Sequence, residues 1–146
     1  MLEVSGIGKT FHAGTPNEVF ALRDVSFNLL EGSFLIIIGT NGSGKSTLLN
    51  AVAGTFPLDR GTVSLSGHDM TKWPEHRRAK LIGRVFQNPY SGTAPNMTIA
   101  ENLAMAARRG LHRGMAWAIP RTLRSELRDR VRTLNMGLED RLDNDI

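Results

Sequence analysis

Gly39-Thr40-Asn41-Gly42-Ser43-Gly44-Lys45-Ser46 follows the apolar run Phe34-Leu35-Ile36-Ile37-Ile38 and precedes Leu48, Leu49 and Val52 at helical spacing. The eight residues match G-x-x-x-x-G-K-[ST], and a position between a strand-like run and a helix start is where that pattern works chemically. Five consecutive apolar residues predict a strand buried on both faces of a sheet. Lys45 to Ala53 reads as a helix, with Gly54 standing where a C-terminal cap belongs. Strand, loop and helix in this order predict an α/β fold organised around a phosphate cradle.

Each residue type in the cradle has a physical reason. Glycines let consecutive backbone N–H groups turn inward and admit phosphate oxygens that a Cβ would obstruct. The following helix directs its positive end at the same place. Lys45 adds a full charge where β- and γ-phosphates would lie, and the Ser46 hydroxyl suits the Mg²⁺ that bridges them. Thr47 offers its N–H and hydroxyl to an α-phosphate. Such a loop predicts nucleoside triphosphate binding without saying what hydrolysis would be for.

Outward from the loop, Met1 to Ser5 alternates as a short strand, Phe20 to Leu29 offers a second, and Gly14-Thr15-Pro16-Asn17 reads as a turn between them. Gly61 to Gly67 alternates as an outer strand, Pro74 opens a short helix to Leu81, and Ile82 to Phe86 reads as a further strand. Thr98-Ile99-Ala100-Glu101 has the form of a capping box before a helix to about Arg108. A last helix from near Pro120 places Leu123, Leu127, Val131 and Leu134 on one face.

The chain has 146 residues, 40% apolar and 22% charged, which is ordinary composition for one globular domain. Its five-residue aliphatic run falls short of the ~20 residues of a spanning helix. With no cysteine there is no disulfide, thiolate metal site or cysteine nucleophile. The N-terminus resembles no signal peptide, so a cytoplasmic location is expected. Eight of the 18 basic residues fall between Arg108 and Arg132, opposed by Glu126 and Asp129. That stretch reads as a solvated helical face, or as a surface for an acidic partner, an anionic membrane or nucleic acid. No aromatic residues interleave these arginines in the manner of single-strand binders.

Phe11 upstream and Val85-Phe86-Gln87-Asn88-Pro89 downstream, taken with Gly39 to Thr47, resemble the nucleotide-binding subunits of ATP-binding cassette (ABC) transporters. Ala21-Leu22-Arg23-Asp24-Val25-Ser26-Phe27, Asp59-Arg60-Gly61-Thr62-Val63 and Met97-Thr98-Ile99-Ala100-Glu101-Asn102-Leu103 extend the resemblance along most of the chain. It implies an ABC-type P-loop NTPase fold, with an antiparallel β subdomain and a helical subdomain. The implied division is a nucleotide-binding sheet region at 1–86, a Q-loop at 87–97 and a helical subdomain at 98–146. It also implies adenine stacking on Phe11 and ATP phosphates held by Gly39, Thr40, Asn41, Gly42, Ser43, Gly44, Lys45, Ser46 and Thr47. Mg²⁺ would meet Ser46 and Gln87, with Lys45 and Gln87 supporting catalysis. Read from the residues alone, Phe11 also fits a core phenylalanine on an edge strand, and Gln87 a solvated loop residue.

The family's catalytic aspartate and glutamate, which follow a second buried aliphatic strand, its LSGGQ signature and its switch histidine have no counterpart here. Leu65-Ser66-Gly67 lies in the wrong context for the signature, and His12, His68, His76 and His112 precede the switch position. The expectation is therefore the N-terminal portion of a longer cassette, lacking its C-terminal part, exposing apolar strand surface and poorly stable by itself. The implied partners are transmembrane permease subunits, a second ATPase subunit packed head to tail and a solute-binding protein, at the inner face of the cell membrane. Gly92-Thr93-Ala94-Pro95 resembles importers of amino-acid-like or phosphonate-like solutes. A cassette ATPase acting on nucleic acid or ribosomes, and a P-loop kinase for a small metabolite, are the alternatives.

Overall fold

The computed structural model describes residues 1–110 and 119–145; His112, Arg113 and Ile146 lie outside them. Two compact units divide the chain, Met1–Ile82 and Gly83–Ile146.

In the first unit, β1 (Leu2–Phe11), β2 (Val19–Leu29), β3 (Arg60–Leu65) and β4 (His68–Asp69) form an antiparallel sheet in the order β2-β1-β3-β4. β1 is longer than its alternating start suggests. Strict alternation would put Val4 and Ile7 on opposite faces, yet both are buried. The register explains this: Val4 faces Phe27 and Ile7 faces Val25, so three steps on β1 answer two on β2. The extra residue turns Ile7 back toward the core. Gly6 sits at this irregularity with φ 58°, and Gly61 of β3 crosses so closely that a Cβ there would stand 2.5 Å from Gly6 backbone. β3 lies between β1 and β4, so it is not the outer strand that its turns suggest.

Helix α1 (Lys45–Ala53) has the predicted bounds. Gly54 ends it in the left-handed region, donating its N–H to Ala51 O at 3.2 Å. Leu48 and Ala51 join Val4, Ile7, Leu22, Val63 and Met70 in one core. Helix α2 (Glu75–Arg78) is a single turn after Pro74.

Two expected strands do not form. Residues 34–38 and 82–86 join no ladder among the described residues. Phe34 is 83% exposed, Ile38 89% and Val85 fully so; Ile37 and Ile82 alone from these runs pack against the core. An apolar run becomes a buried strand only where neighbours pair with it, and these runs have none here.

In the second unit, α3 (Ile99–Ala107) opens with the predicted capping box. Glu101 N–H donates to Thr98 Oγ1 at 3.3 Å, and Thr98 N–H donates to Glu101 Oε2 at 2.8 Å. Ile99 and Ala100 donate to the carbonyls of Asn144 and Leu142, which occupies two more free N–H groups of the first turn. Helix α4 (Arg121–Arg132) buries Leu127 and Val131, and Val131 clusters with Ala100 and Leu142. Leu134, expected on the same face, falls beyond the helix and is exposed. No helix among the described residues is long and apolar enough to cross a membrane.

Candidate functional site

The loop before α1 is shaped by positions that refuse a side chain. Gly44 begins the helix at φ 90°, ψ 5°, and a Cβ there would lie 2.7 Å from the Ala21 carbonyl of β2. Gly42 has φ 82° in open space, and a Cβ on Gly39 would meet Ser43 Oγ at 2.5 Å. Ser43 N–H donates to Thr40 O at 3.2 Å, closing a turn within the loop. Lys45 Nζ donates to Gly39 O and Thr40 O, each at 2.7 Å, so the ammonium spans the mouth of the loop.

No side chain caps the N-terminus of α1 and its first turn holds no acidic residue. Its positive end therefore faces the loop with no carboxylate of its own first turn to neutralise it. Ser46 is exposed, and Lys45 and Thr47 are half-buried. The loop and the first turn of α1 bring one ammonium and the hydroxyls of Ser46 and Thr47 to the helix end, groups whose donors suit polyphosphate oxygens and whose hydroxyl oxygens suit a bridging divalent cation. No cluster of His, Asp and Glu suited to holding a metal by protein ligands exists among the described residues.

Phe11 ends β1 in the same unit. Its half-buried ring packs edge to face on Phe56, with centroids 5.2 Å apart and planes at 82°. Lys9 Nζ lies 5.6 Å from the Phe11 centroid and 5.7 Å from that of Phe56. Asp59 holds that ammonium at 2.8 Å and also accepts the Thr10 N–H. These bonds, the one from Lys9 foremost, lower the Asp59 carboxyl below its ordinary value. Phe56 and the Lys9–Asp59 pair thus set the ring's orientation. Their role is invisible to motif reading, because Phe56 belongs to no recognisable spacing.

Gln87 belongs to the second unit and is exposed just before a turn at Pro89–Gly92, whose entry Asn88 caps by accepting the Tyr90 N–H. Asn102 ties down the segment that follows, exchanging hydrogen bonds with both the N–H and carbonyl of Ala94 and donating to Met97 O. The arginines of α4 are partly spent within their own unit. Arg124 pairs with Asp143, Arg130 with Glu126 at 2.6 Å, and Arg128 donates to Glu139 O at 3.1 Å. The pair with Arg124 lowers the Asp143 carboxyl and raises the guanidinium.

Comparisons with known proteins agree on one family. Residues 22–143 match the family described as ABC transporter. The tyrosine transport ATP-binding protein of Clostridioides difficile (strain R20291) is 39% identical over 112 residues, covering 75% of this chain and 44% of that protein. Lipoprotein-releasing system ATP-binding protein LolD 1 of Caulobacter vibrioides (strain ATCC 19089) is 33% identical over 147 residues, 98% of this chain and 58% of its own. The chain thus spans about half the length of these relatives. In fold it is similar to a dimeric ATP-binding cassette solved in a post-hydrolysis state with ADP and Pi, at TM-score 0.79 and 24% identity over 99% of this chain and 61% of that one. With the family match running over most of its residues, the chain belongs to the ABC transporter ATP-binding family.

Proposed function

We propose that the chain binds ATP with Mg²⁺ at Gly39–Thr47, and that in a whole cassette hydrolysis at this site powers solute movement by a membrane transporter. The observation that carries the reading is the loop itself: Gly44 in a conformation that excludes a Cβ, an uncapped helix end behind it and Lys45 across its mouth. The residues fit the group. Backbone N–H groups of the loop and Lys45 would hold the β- and γ-phosphates, Thr47 the α-phosphate, and Phe11 the adenine ring. Ser46 would hold Mg²⁺, which supplies charge neutralisation at the transferred phosphoryl group, and Gln87 would support turnover. Lys45 exchanges its two loop carbonyls for phosphate oxygens, which keeps the ammonium satisfied before and after binding.

The whole protein would pair head to tail with a second ATPase subunit and dock on transmembrane permease subunits at the inner membrane face, supplied by a solute-binding protein. Residues 1–86, 87–97 and 98–146 would serve as the nucleotide-binding region, the Q-loop and the helical subdomain. A relative named for tyrosine transport favours an amino-acid-like solute. Ion pairing of α4 arginines within their own unit supports this reading over one based on nucleic acid. The test is ATP turnover by the whole protein reconstituted with its permease in vesicles. Gln87→Ala should retain ATP binding and slow turnover; turnover at the unaltered rate would remove Gln87 from the site.

A further inference from the structure

The N-terminus of α1 presents Gly44, Lys45 and Ser46, but the opposite end of the helix is what anchors it. Arg78, the last residue of α2, is 1% exposed and is the one buried charged side chain among the described residues. Its guanidinium is satisfied by backbone alone. Nη1 donates to Ala51 O at 3.0 Å and Val52 O at 2.8 Å, in the last turn of α1. Nη2 donates to Thr71 O at 3.0 Å and Nε to Trp73 O at 2.9 Å, in the segment after β4. Burial lowers the guanidinium pKa from its ordinary value and the charge of Asp69 opposes this, but the group remains a cation.

Carbonyls in a helix's last turn have no N–H further along the helix; Ala51 O takes the Gly54 N–H of the cap and has a lone pair left for Arg78, which also serves Val52 O, and a cation there meets the negative end of the helix dipole. The fork therefore satisfies α1 and ties it to the sheet unit in one rigid, planar element. Gly54 is cut to fit: at φ 80° it suits the left-handed cap, and a Cβ would stand 2.6 Å from Arg78 Nε. Lateral packing holds α1 less firmly, because its buried residues are Leu48, Ala51 and Ala53, two of them alanine. A nine-residue helix is a rod of about 13 Å, so freedom at one end reappears at the other.

We infer that Arg78 is a positioning residue for the phosphate loop, clamping the C-terminal carbonyls of α1 to the Thr71–Trp73 segment so that its N-terminus stays in register for polyphosphate. The inference rests on the reading of Gly39–Thr47 as an ATP cradle. The test measures affinity for a fluorescent ATP analogue with Mg²⁺, well below each variant's unfolding midpoint, for Arg78→Met, Arg78→Lys, Met70→Ala and Lys45→Ala. Met70 is fully buried in the same core and adjoins the clamped segment, its carbonyl accepting the Trp73 N–H, but it makes no hydrogen bond to Arg78, so its variant reports what loosened core packing beside that segment costs when the guanidinium is kept. Folded Arg78→Met should bind about tenfold more weakly, Arg78→Lys should recover part of that loss, and Met70→Ala should bind within about twofold of the unaltered chain. Normal affinity in folded Arg78→Met overturns the inference, as does an equal loss in Met70→Ala. If Arg78→Met does not fold, Arg78→Lys decides, since a single ammonium cannot reach all four carbonyls and unaltered affinity would refute the clamp. Lys45→Ala separates the two claims: binding retained there refutes the cradle, whereas binding lost there but normal in both Arg78 variants refutes the clamp alone.

Discussion

Replacing Gly44 with alanine tests the cradle's geometry through two separable costs. The first is conformational: Gly44 has φ 90°, where an L-residue is disfavoured by about 1–2 kcal/mol. The second is steric, because the new Cβ would stand 2.7 Å from the Ala21 carbonyl. That atom is backbone of β2 and cannot rotate aside, so α1 and β2 must separate, at about 1–3 kcal/mol for an overpacked site. Gly42→Ala carries only the first cost, since its φ is 82° with nothing within 4 Å of the new atom. Together the terms place Gly44→Ala about 2–5 kcal/mol below the unaltered chain and Gly42→Ala about 1–2 below. In a chain of this size each kcal/mol lowers the melting midpoint by roughly 4 °C. Thermal unfolding followed by circular dichroism of the two variants side by side reads the difference. If Gly44→Ala melts together with Gly42→Ala, the approach to Ala21 does not constrain the loop and the steric argument is wrong.

Thr98→Ala should cost about 1 kcal/mol, because it removes the acceptor for Glu101 N–H and dissolves the capping box; urea denaturation monitored by α-helix content measures it. Asp59 is held below its ordinary carboxyl value of 3.8 by Lys9 and Thr10, so its stabilising effect is full above 3.8 and is lost as pH falls through the lower folded value. Asp59→Asn should therefore remove that acid-side slope from a plot of melting midpoint against pH, while an unchanged slope would show that the Lys9 contact contributes nothing. Phe56→Ala should weaken binding of an adenine nucleotide more than binding of inorganic triphosphate, because it frees the Phe11 ring without touching the loop. Equal losses for the two ligands, measured by calorimetry, would contradict the orienting role.

Local chemistry made α1 and the start of α3 legible. Gly54 marks one boundary by its need for a left-handed backbone, and Thr98 with Glu101 marks another by a reciprocal hydrogen bond spanning four residues. What eluded the sequence depended on distant partners. β1 continues to Phe11 because β2 and β3 flank it and absorb its bulge, which no alternation pattern encodes. Residues 34–38 read as a buried strand on composition, but a ladder needs a neighbour, and Phe34, Ile36 and Ile38 stand exposed. Of the site, the loop residues from Gly39 to Thr47 were readable as a unit because one spacing holds them all. Arg78 was not, since Arg77 and Arg78 look alike in sequence, yet Arg77 lies over the Trp73 ring while Arg78 is buried on four carbonyls, two of them 26 and 27 residues away. Phe11 was readable as an aromatic position, whereas its partner Phe56 is set by the turn after α1.

Lys45 is proposed to hold the phosphates of ATP within Gly39–Thr47. Isothermal titration of the whole protein with ATP and Mg²⁺ tests it most directly, comparing the native residue with Lys45→Ala at matched folded content. Saturable one-to-one binding that Lys45→Ala abolishes is expected, because the neutral loop keeps its N–H groups but loses the charge that offsets the triphosphate. Undiminished ATP binding by folded Lys45→Ala would contradict it.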